Sequence, residues 1–428
     1  MTVLILHEGV ACGCDATDVS PGLMSVDAAR TAALRLVVPV AAREQVPLAQ
    51  ALGRVLAQPL RSQTPMPPFD ASAVDGYAVR LDDLIGPGPW TLAVQDRIAA
   101  GDGRSIRLSS GALRIFTGAL LPLGADAVLM QEDVVTEAAH LHIRHRPQRG
   151  ANLRRAGEEM PKGQIVVATG HRLGPREIGS AAANGHATLG VWRRPRIALL
   201  TTGDEVAQPG TTLAPGCIWD ANTSLLVAAF QAAGADLVAF EHAPDDLAAL
   251  AVLMARLAKA ADMLVTTGGV SVGEEDHCKA AFRAAQGEIV VAGVAMKPGK
   301  PVTIGRLNGT VWIGLPGNPL SAYVTWQVLG WPMVKALSRA TASPAPTQLV
   351  VAGQDLPHKP GRCEYRPATI IGFDDLGRQV IFAAPAVHSG RLSSLVGADG
   401  LIVIPAGIEA VQQGDLLDFL PFYTSQMA

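Results

Sequence analysis

Between Arg196 and Ala336 the chain repeats one pattern three times: a short apolar run breaks into a glycine-rich turn. Ile197-Ala198-Leu199-Leu200 leads into Thr201-Thr202-Gly203-Asp204-Glu205, and Met263-Leu264-Val265 into Thr266-Thr267-Gly268-Gly269-Val270-Ser271. Val311-Trp312-Ile313-Gly314 leads into Leu315-Pro316-Gly317-Asn318-Pro319. Uninterrupted apolar runs this short read as strands buried on both faces. Two amphipathic segments lie between them, Asn222 to Ala233 closed by Gly234, and Asp246 to Ala260 behind Asp245-Asp246. Strands alternating with helices predict a parallel sheet covered on both faces. In such a sheet ligands bind beyond the carboxyl ends of the strands, where these three turns would converge.

Outside this stretch the pattern changes. Ser25 or Asp27 caps a predicted helix over Ala28 to Val37, and short strands surround Ala49–Leu52. The proline-rich run Pro65 to Phe69 holds the chain extended before Asp75-Gly76-Tyr77 turns into a strand. Residues 81 to about 150 read as β-rich, Pro175 to Ala183 as a helix and Gly185 to Val191 as a strand. Pro344 to Pro346 mark a boundary, and residues 347–428 alternate apolar and polar positions with no helical period, the pattern of a small β-barrel. No repeat recurs at a fixed period.

Composition narrows the function classes. The 428 residues suffice for two to four domains, and 49% hydrophobic with 17% charged residues describes a globular chain. A net charge of −3 gives no electrostatic reason to expect a nucleic-acid partner. No apolar run approaches the ~20 residues that span a bilayer, so no membrane partner is expected. Met1 to Gly9 lacks the basic residues of a signal peptide. Cys12, Cys14, Cys217, Cys278 and Cys363 are scattered and make no disulfide framework, which points to the cytoplasm. Cys12 and Cys14 with His7 do not have metal-site spacing, and residues 1–21 read as an extension before the fold.

Glycine-rich turns at strand ends admit close approach of backbone N–H groups to an anion. Met296-Lys297-Pro298-Gly299-Lys300-Pro301 adds two lysines on a loop stiffened by proline. Asp204, Glu205, Glu274, Glu275 and Asp276 follow glycines closely. Carboxylates, lysines and a phosphate together form a Mg²⁺-bridged anion site, because Mg²⁺ shares oxygen ligands between carboxylate and phosphate. The same acids also suit helix N-caps, and for Asp245 and Asp246 capping is the stronger reading.

The motifs Thr201-Thr202-Gly203-Asp204-Glu205, Thr267-Gly268-Gly269-Val270-Ser271-Val272-Gly273, Lys297-Pro298-Gly299-Lys300-Pro301 and Leu315-Pro316-Gly317-Asn318-Pro319 resemble, in this order, the MoeA/gephyrin E-domain family. The resemblance covers roughly residues 22–425. It implies an α/β multidomain chain: an extension (1–21), a discontinuous N-terminal domain (22–62 and 150–192) and a β-rich inserted domain (63–149). A central three-layer α/β, MogA-like molybdopterin-binding domain (193–343) and a C-terminal small β-barrel (344–428) would follow. The implied activity is insertion of molybdate into adenylylated molybdopterin, giving molybdenum cofactor and AMP, with Mg²⁺ required.

The resemblance further implies site residues. Asp75, Thr117, Glu205, Asp245, Ser271 and Asp276 would serve catalysis, with Asp75, Glu205 and Asp276 as metal ligands. Lys297, Lys300, Pro301, Ser321, Arg366 and Ser389 would hold molybdate, with Arg362 as the alternative to Arg366. Thr202, Gly203, Gly268, Gly269, Gly317 and Asn318 would hold the pterin nucleotide. Glu159 stands where relatives often have Asp. The implied partners are a second copy, in a homodimer whose site is shared between subunits, and transiently other proteins of molybdenum cofactor biosynthesis. A non-catalytic pterin-binding scaffold, a tungstate-inserting homologue and a CinA-type phosphate hydrolase are the competing readings. The combination of Asp75 with Lys-Pro-Gly-Lys disfavours the last.

Overall fold

The computed structural model describes residues 22–269, 277–341, 348–384 and 392–422. At its centre six strands form one sheet: β1 Arg196–Thr202, β2 Asp236–Ala243, β3 Met263–Thr267, β4 Glu288–Ala292, β5 Thr303–Leu307 and β6 Thr310–Leu315. Their spatial order is β2-β1-β3-β6-β5-β4. The first four neighbours in this order are parallel, and β5 and β4 add on antiparallel. The β5–β6 hairpin turns on Asn308 and Gly309, both at positive φ (51° and 87°), the geometry for which Asn-Gly is suited.

Side-chain alternation explains why three strands are apolar at every position. Ile197 and Leu199 of β1, Met263 and Val265 of β3, and Val311, Ile313 and Leu315 of β6 enter one core layer. Ala198, Leu200, Leu264 and Trp312 enter the opposite layer. Helices α1 Ala221–Ala233 and α4 Pro319–Thr325 cover the first face, and α2 Leu247–Ala260 with α3 His277–Ala284 cover the second. The result is the expected three-layer α/β unit. Fully buried Trp312 stacks on Phe282 at 4.0 Å between ring centroids and donates its indole N–H to Thr266 Oγ1 at 3.1 Å. Asp220 caps α1 by accepting from Thr223 N at 2.9 Å, and Gly234 ends it at φ +83°. After α4 the helix widens into a π turn over Trp326–Gly330 before continuing as Trp331–Leu337. Pro332 has no N–H to give the preceding turn and its ring crowds the carbonyl four residues back, which accounts for the widening.

The helix over Val26–Leu36, capped by Ser25, buries Val26, Ala29 and Ala33 in the first core layer of this central unit. Arg43–Pro47 pairs with Thr188–Trp192, and Leu60–Arg61 with Ile165–Val167, across more than a hundred residues of sequence. The chain between them contains a six-stranded sheet in the order Ala127–Met130, Gly76–Val79, Ala112–Ile115, Trp90–Ile98, His140–Ile143, Val134–Glu137. At the C-terminal end, Gln348–Ala352, Cys363–Phe373, Gln379–Ala383, Gly400–Ile404 and Leu416–Pro421 close into a five-stranded barrel. One short helical turn, Ser393–Val396, interrupts the all-β pattern expected there. Among the described residues, no helix is long and apolar enough to cross a membrane, and Cys217, Cys278 and Cys363 form no disulfide.

Candidate functional site

The parallel strands β1, β3 and β6 end side by side, with Thr201 opposite Thr267 and Thr267 opposite Leu315. This register brings the three glycine turns to one edge. A cleft of about 500 Å³ opens there, lined by Thr202, Gly203, Glu205, Asp245, Gly268, Gly269, Gly317 and Asn318. Every cofactor-binding residue expected from sequence therefore stands in one wall. Gly268 has φ +93°, and a Cβ there would meet the Thr202 carbonyl oxygen at 2.7 Å. Only glycine lets the two turns lie this close.

Asn222, in the first turn of α1, ties the edge together. Its Nδ2 donates to Thr267 Oγ1 at 2.9 Å and to the Gly317 carbonyl at 2.6 Å. Thr267 Oγ1 in turn donates to the Pro316 carbonyl at 3.1 Å. The adjacent acids of the Asp245-Asp246 pair divide the two roles considered for them. Asp246 caps α2 by accepting from Ala249 N at 2.8 Å, and Asp245 accepts from the Thr202 hydroxyl within the cleft. Asp220 and Asn222 also line the cleft, and neither stood out as a site residue in the sequence.

A second recess of about 380 Å³ adjoins the first and shares Pro301, Pro316 and Asn318 with it. It is lined by Lys297, Lys300, Ser321, Arg362, Glu364 and Arg366. Its walls come from two units, because Met296–Lys297 pairs in parallel with Cys363–Glu364 at the start of the longest barrel strand. That register sets Lys297 beside Glu364, whose Oε2 accepts from Nζ at 3.2 Å. Glu364 is 3% exposed and its other oxygen binds Arg366, itself 1% exposed, at 2.9 Å. Arg366 also donates to the Pro357 carbonyl at 2.9 Å. Arg362 is half-buried and Lys300 exposed, and no ion pair engages either among the described residues. Both arginines weighed from sequence thus reach the recess, one locked by Glu364 and one open. The Lys297-Pro298-Gly299-Lys300 turn folds tightly over α4: Gly299 has φ +116°, and a Cβ on it would lie 2.5 Å from Thr325 Oγ1.

Asp75 and Thr117 come together in the inserted sheet but line neither recess. Asp75 Oδ1 accepts from both the Thr117 N–H and its hydroxyl, each at 2.8 Å. The backbone bond first, then the hydroxyl bond, holds the exposed carboxyl below the usual aspartate range. Glu159 pairs with Arg154 at 3.2 Å on the surface. Ser271, Asp276 and Ser389 lie outside the described residues, as do Glu274, Glu275 and the extension with Cys12 and Cys14.

Among the described residues no cluster of three or more His, Cys, Asp or Glu forms a closed metal cage. Glu205, Asp220 and Asp245 line the first cleft, but both Asp220 oxygens accept from Thr223, so the oxygen donors left there for a hard cation are those of Glu205 and Asp245.

Three family models match in succession. They are the MoeA N-terminal region (domain I and II) over residues 24–185, the probable molybdopterin binding domain over 198–336, and the MoeA C-terminal region (domain IV) over 350–422. Molybdopterin molybdenumtransferase 2 of Mycobacterium tuberculosis is 36% identical over 87% of this chain and 93% of its own length. Molybdopterin molybdenumtransferase of Haemophilus influenzae is 31% identical over 94% of this chain and 99% of its own. The crystal structure of a molybdopterin biosynthesis MoeA protein from Pyrococcus horikosii superposes with a TM-score of 0.78 at 30% identity, covering 94% of this chain and 99% of that one. With its sheet edge, barrel and motif order in place, the chain belongs to the MoeA family of molybdopterin molybdenumtransferases.

Proposed function

We propose that this chain inserts molybdate into adenylylated molybdopterin and releases AMP. The observation that carries the reading is the adjacency of two chemically distinct recesses: a glycine-walled cleft at a parallel sheet edge, and a recess with four cations against one carboxylate. The first suits a phosphate-bearing pterin nucleotide, the second a tetrahedral dianion. Bringing the two anions together is the physical difficulty, since like unit charges 4 Å apart repel by roughly 4 kcal/mol at an effective dielectric of 20. Lys297, Lys300, Arg362 and Arg366 offset that repulsion, and the Ser321 hydroxyl adds a neutral donor. Glu364 keeps the Arg366 guanidinium fixed in the wall, so Lys300 and Arg362 carry the adjustable charge.

The pterin nucleotide would lie along Thr202, Gly203, Gly268, Gly269, Gly317 and Asn318, its phosphates facing the backbone N–H groups of the turns. Glu205 and Asp245 would hold Mg²⁺, which when bound neutralises charge on the phosphoanhydride that is cleaved. Asp245 is oriented for this by the Thr202 hydroxyl. In the same reading Ser271, Asp276 and Ser389, which lie outside the described residues, would act on the substrate, the metal and molybdate respectively. Asp75 and Thr117 belong to a site completed by a second copy, because they line neither recess of their own chain.

The test is single-turnover AMP formation from adenylylated molybdopterin and molybdate, in Mg²⁺ and in EDTA, for wild type and Asp245→Asn. The reading expects AMP in Mg²⁺ only and a rate at least tenfold lower for Asp245→Asn. Equal rates in EDTA would remove the metal from the account.

A further inference from the structure

A second basic cleft opens at the opposite edge of the central sheet. Its lining includes Pro195, just before β1, and Gly234, just before β2, so it sits at the amino ends of the strands. It has a volume of about 470 Å³ and is lined by Arg54, Arg172, Arg176, Trp192, Arg194 and Lys335 among others, with no carboxylate among the lining residues. An adjoining recess of about 250 Å³ shares Arg172, Arg194 and Lys335 with it.

Part of this charge has a structural explanation. Arg54 pairs with Glu44, and Arg194 with Asp236 at 3.3 Å. Arg172 donates to the Ala232 carbonyl at 3.1 Å at the carboxyl end of α1, where the helix dipole favours a cation. Lys335 is different: it is half-buried and makes no ion pair among the described residues. Burial first, then the nearby Arg172 guanidinium, lowers its pKa, and Arg172 is lowered likewise by burial and by Arg194. Two N–H groups in the same walls, Nε of Arg54 (8% exposed) and Nε of Arg194, are buried with no acceptor among the described residues. Desolvated cations gathered around one cavity are costly unless an anion completes them. Arginine forks fit phosphate oxygens in particular. The wall beside them is apolar, with half-buried Ala340 and buried Val55 and Trp192, whose ring already carries the guanidinium groups of Arg43 and Arg339 at 4.9 and 4.6 Å.

We propose that this cleft binds a small phosphorylated ligand, its phosphate on Lys335, Arg172 and Arg176 and its organic part along Ala340 and the exposed edge of Trp192. It is separate from the glycine-walled cleft, which lies at the other ends of the same strands.

The experiment is calorimetric titration of the full chain at low ionic strength with AMP and with inorganic phosphate. The variants are Lys335→Met, Lys335→Arg and the double variant Lys297→Ala with Lys300→Ala. Two classes of AMP site are expected in the wild type. Lys335→Met should weaken one class at least tenfold and spare the other, Lys335→Arg should retain both, and the double variant should retain the class that Lys335→Met removes. Tighter binding of AMP than of phosphate at that class assigns the organic part to the Trp192 wall, while equal binding assigns a site for the oxyanion alone. A single class, or two classes that are both indifferent to Lys335→Met in a folded variant, overturns the proposal. Loss of folding in Lys335→Met leaves Lys335→Arg and the double variant to decide: one class that vanishes in the double variant overturns it equally.

Discussion

At the scale of single residues, the two best-defined charges are Asp75 and Glu364. The Asp75 carboxyl is held low by two donors from Thr117. A group whose folded pKa is lowered contributes stability that is complete above its unfolded value and is lost as pH falls through the folded one. The Asp75 side-chain carbon resonance should therefore titrate below the ordinary aspartate value of about 3.9. Thr117→Val, which keeps the backbone bond and removes the hydroxyl bond, should move that midpoint up, and an unchanged midpoint would contradict the hydroxyl bond. Glu364 is buried between Lys297 and Arg366. Glu364→Ala would take a carboxylate away from the buried Arg366 guanidinium, and breaking a buried pair in this way costs about 3–5 kcal/mol, readable in urea unfolding. A change under about 1 kcal/mol would mean that water reaches the guanidinium, as for a surface pair. Lys297, Lys300, Ser321 and Arg366 line one recess. Glu364 was invisible in the sequence, since its role depends on a pairing between residues 296–297 and 363–364 that no local pattern encodes.

At the scale of elements, the glycine turns carry the account. Gly268→Ala would force a side chain into left-handed backbone, at about 1–2 kcal/mol, and against the Thr202 carbonyl at 2.7 Å. The substitution should lower the unfolding midpoint and weaken nucleotide binding together. Loss of neither would show that the turn relaxes freely. Asn222→Ala removes the two bonds that join α1 to the turns after β3 and β6. It is expected to weaken pterin-nucleotide binding at least tenfold with a smaller effect on molybdate saturation, because it touches the first recess and not the second. Strands β1, β3 and β6 and helices α1 and α2 were legible because each is apolar at a period its burial dictates. The antiparallel strands β4 and β5 were not, although Asn308-Gly309 marks the hairpin from β5 to β6. Nor could local pattern reveal that the helix Val26–Leu36 packs on the central core, because an apolar stripe says that a face is covered and not by what.

At the scale of the molecule, the chain brings the molybdate-binding candidates together at a seam between the central sheet and the C-terminal barrel, and keeps Asp75 away from it. If Asp75 acts across a two-fold interface, Asp75→Asn and Lys297→Ala chains mixed in equal amounts should recover about a quarter of wild-type activity, from the one intact site in each heterodimer. No recovery from two individually inactive chains would place Asp75 in its own chain's site or outside the chemistry. The discontinuous strand pairings that hold the inserted sheet, Arg43–Pro47 with Thr188–Trp192, connect positions too far apart for composition to link, and only the family resemblance anticipated such an arrangement.

In the proposed function two adjoining recesses couple a pterin nucleotide to an oxyanion. This coupling is tested most directly by AMP formation from adenylylated molybdopterin as molybdate is varied, for wild type and Lys300→Ala. The account predicts AMP only when molybdate is present, and saturation at molybdate concentrations at least tenfold higher in Lys300→Ala, as expected for loss of one charge-assisted contact. AMP formed equally without molybdate, or tight nucleotide binding with no AMP at any molybdate concentration, would contradict it.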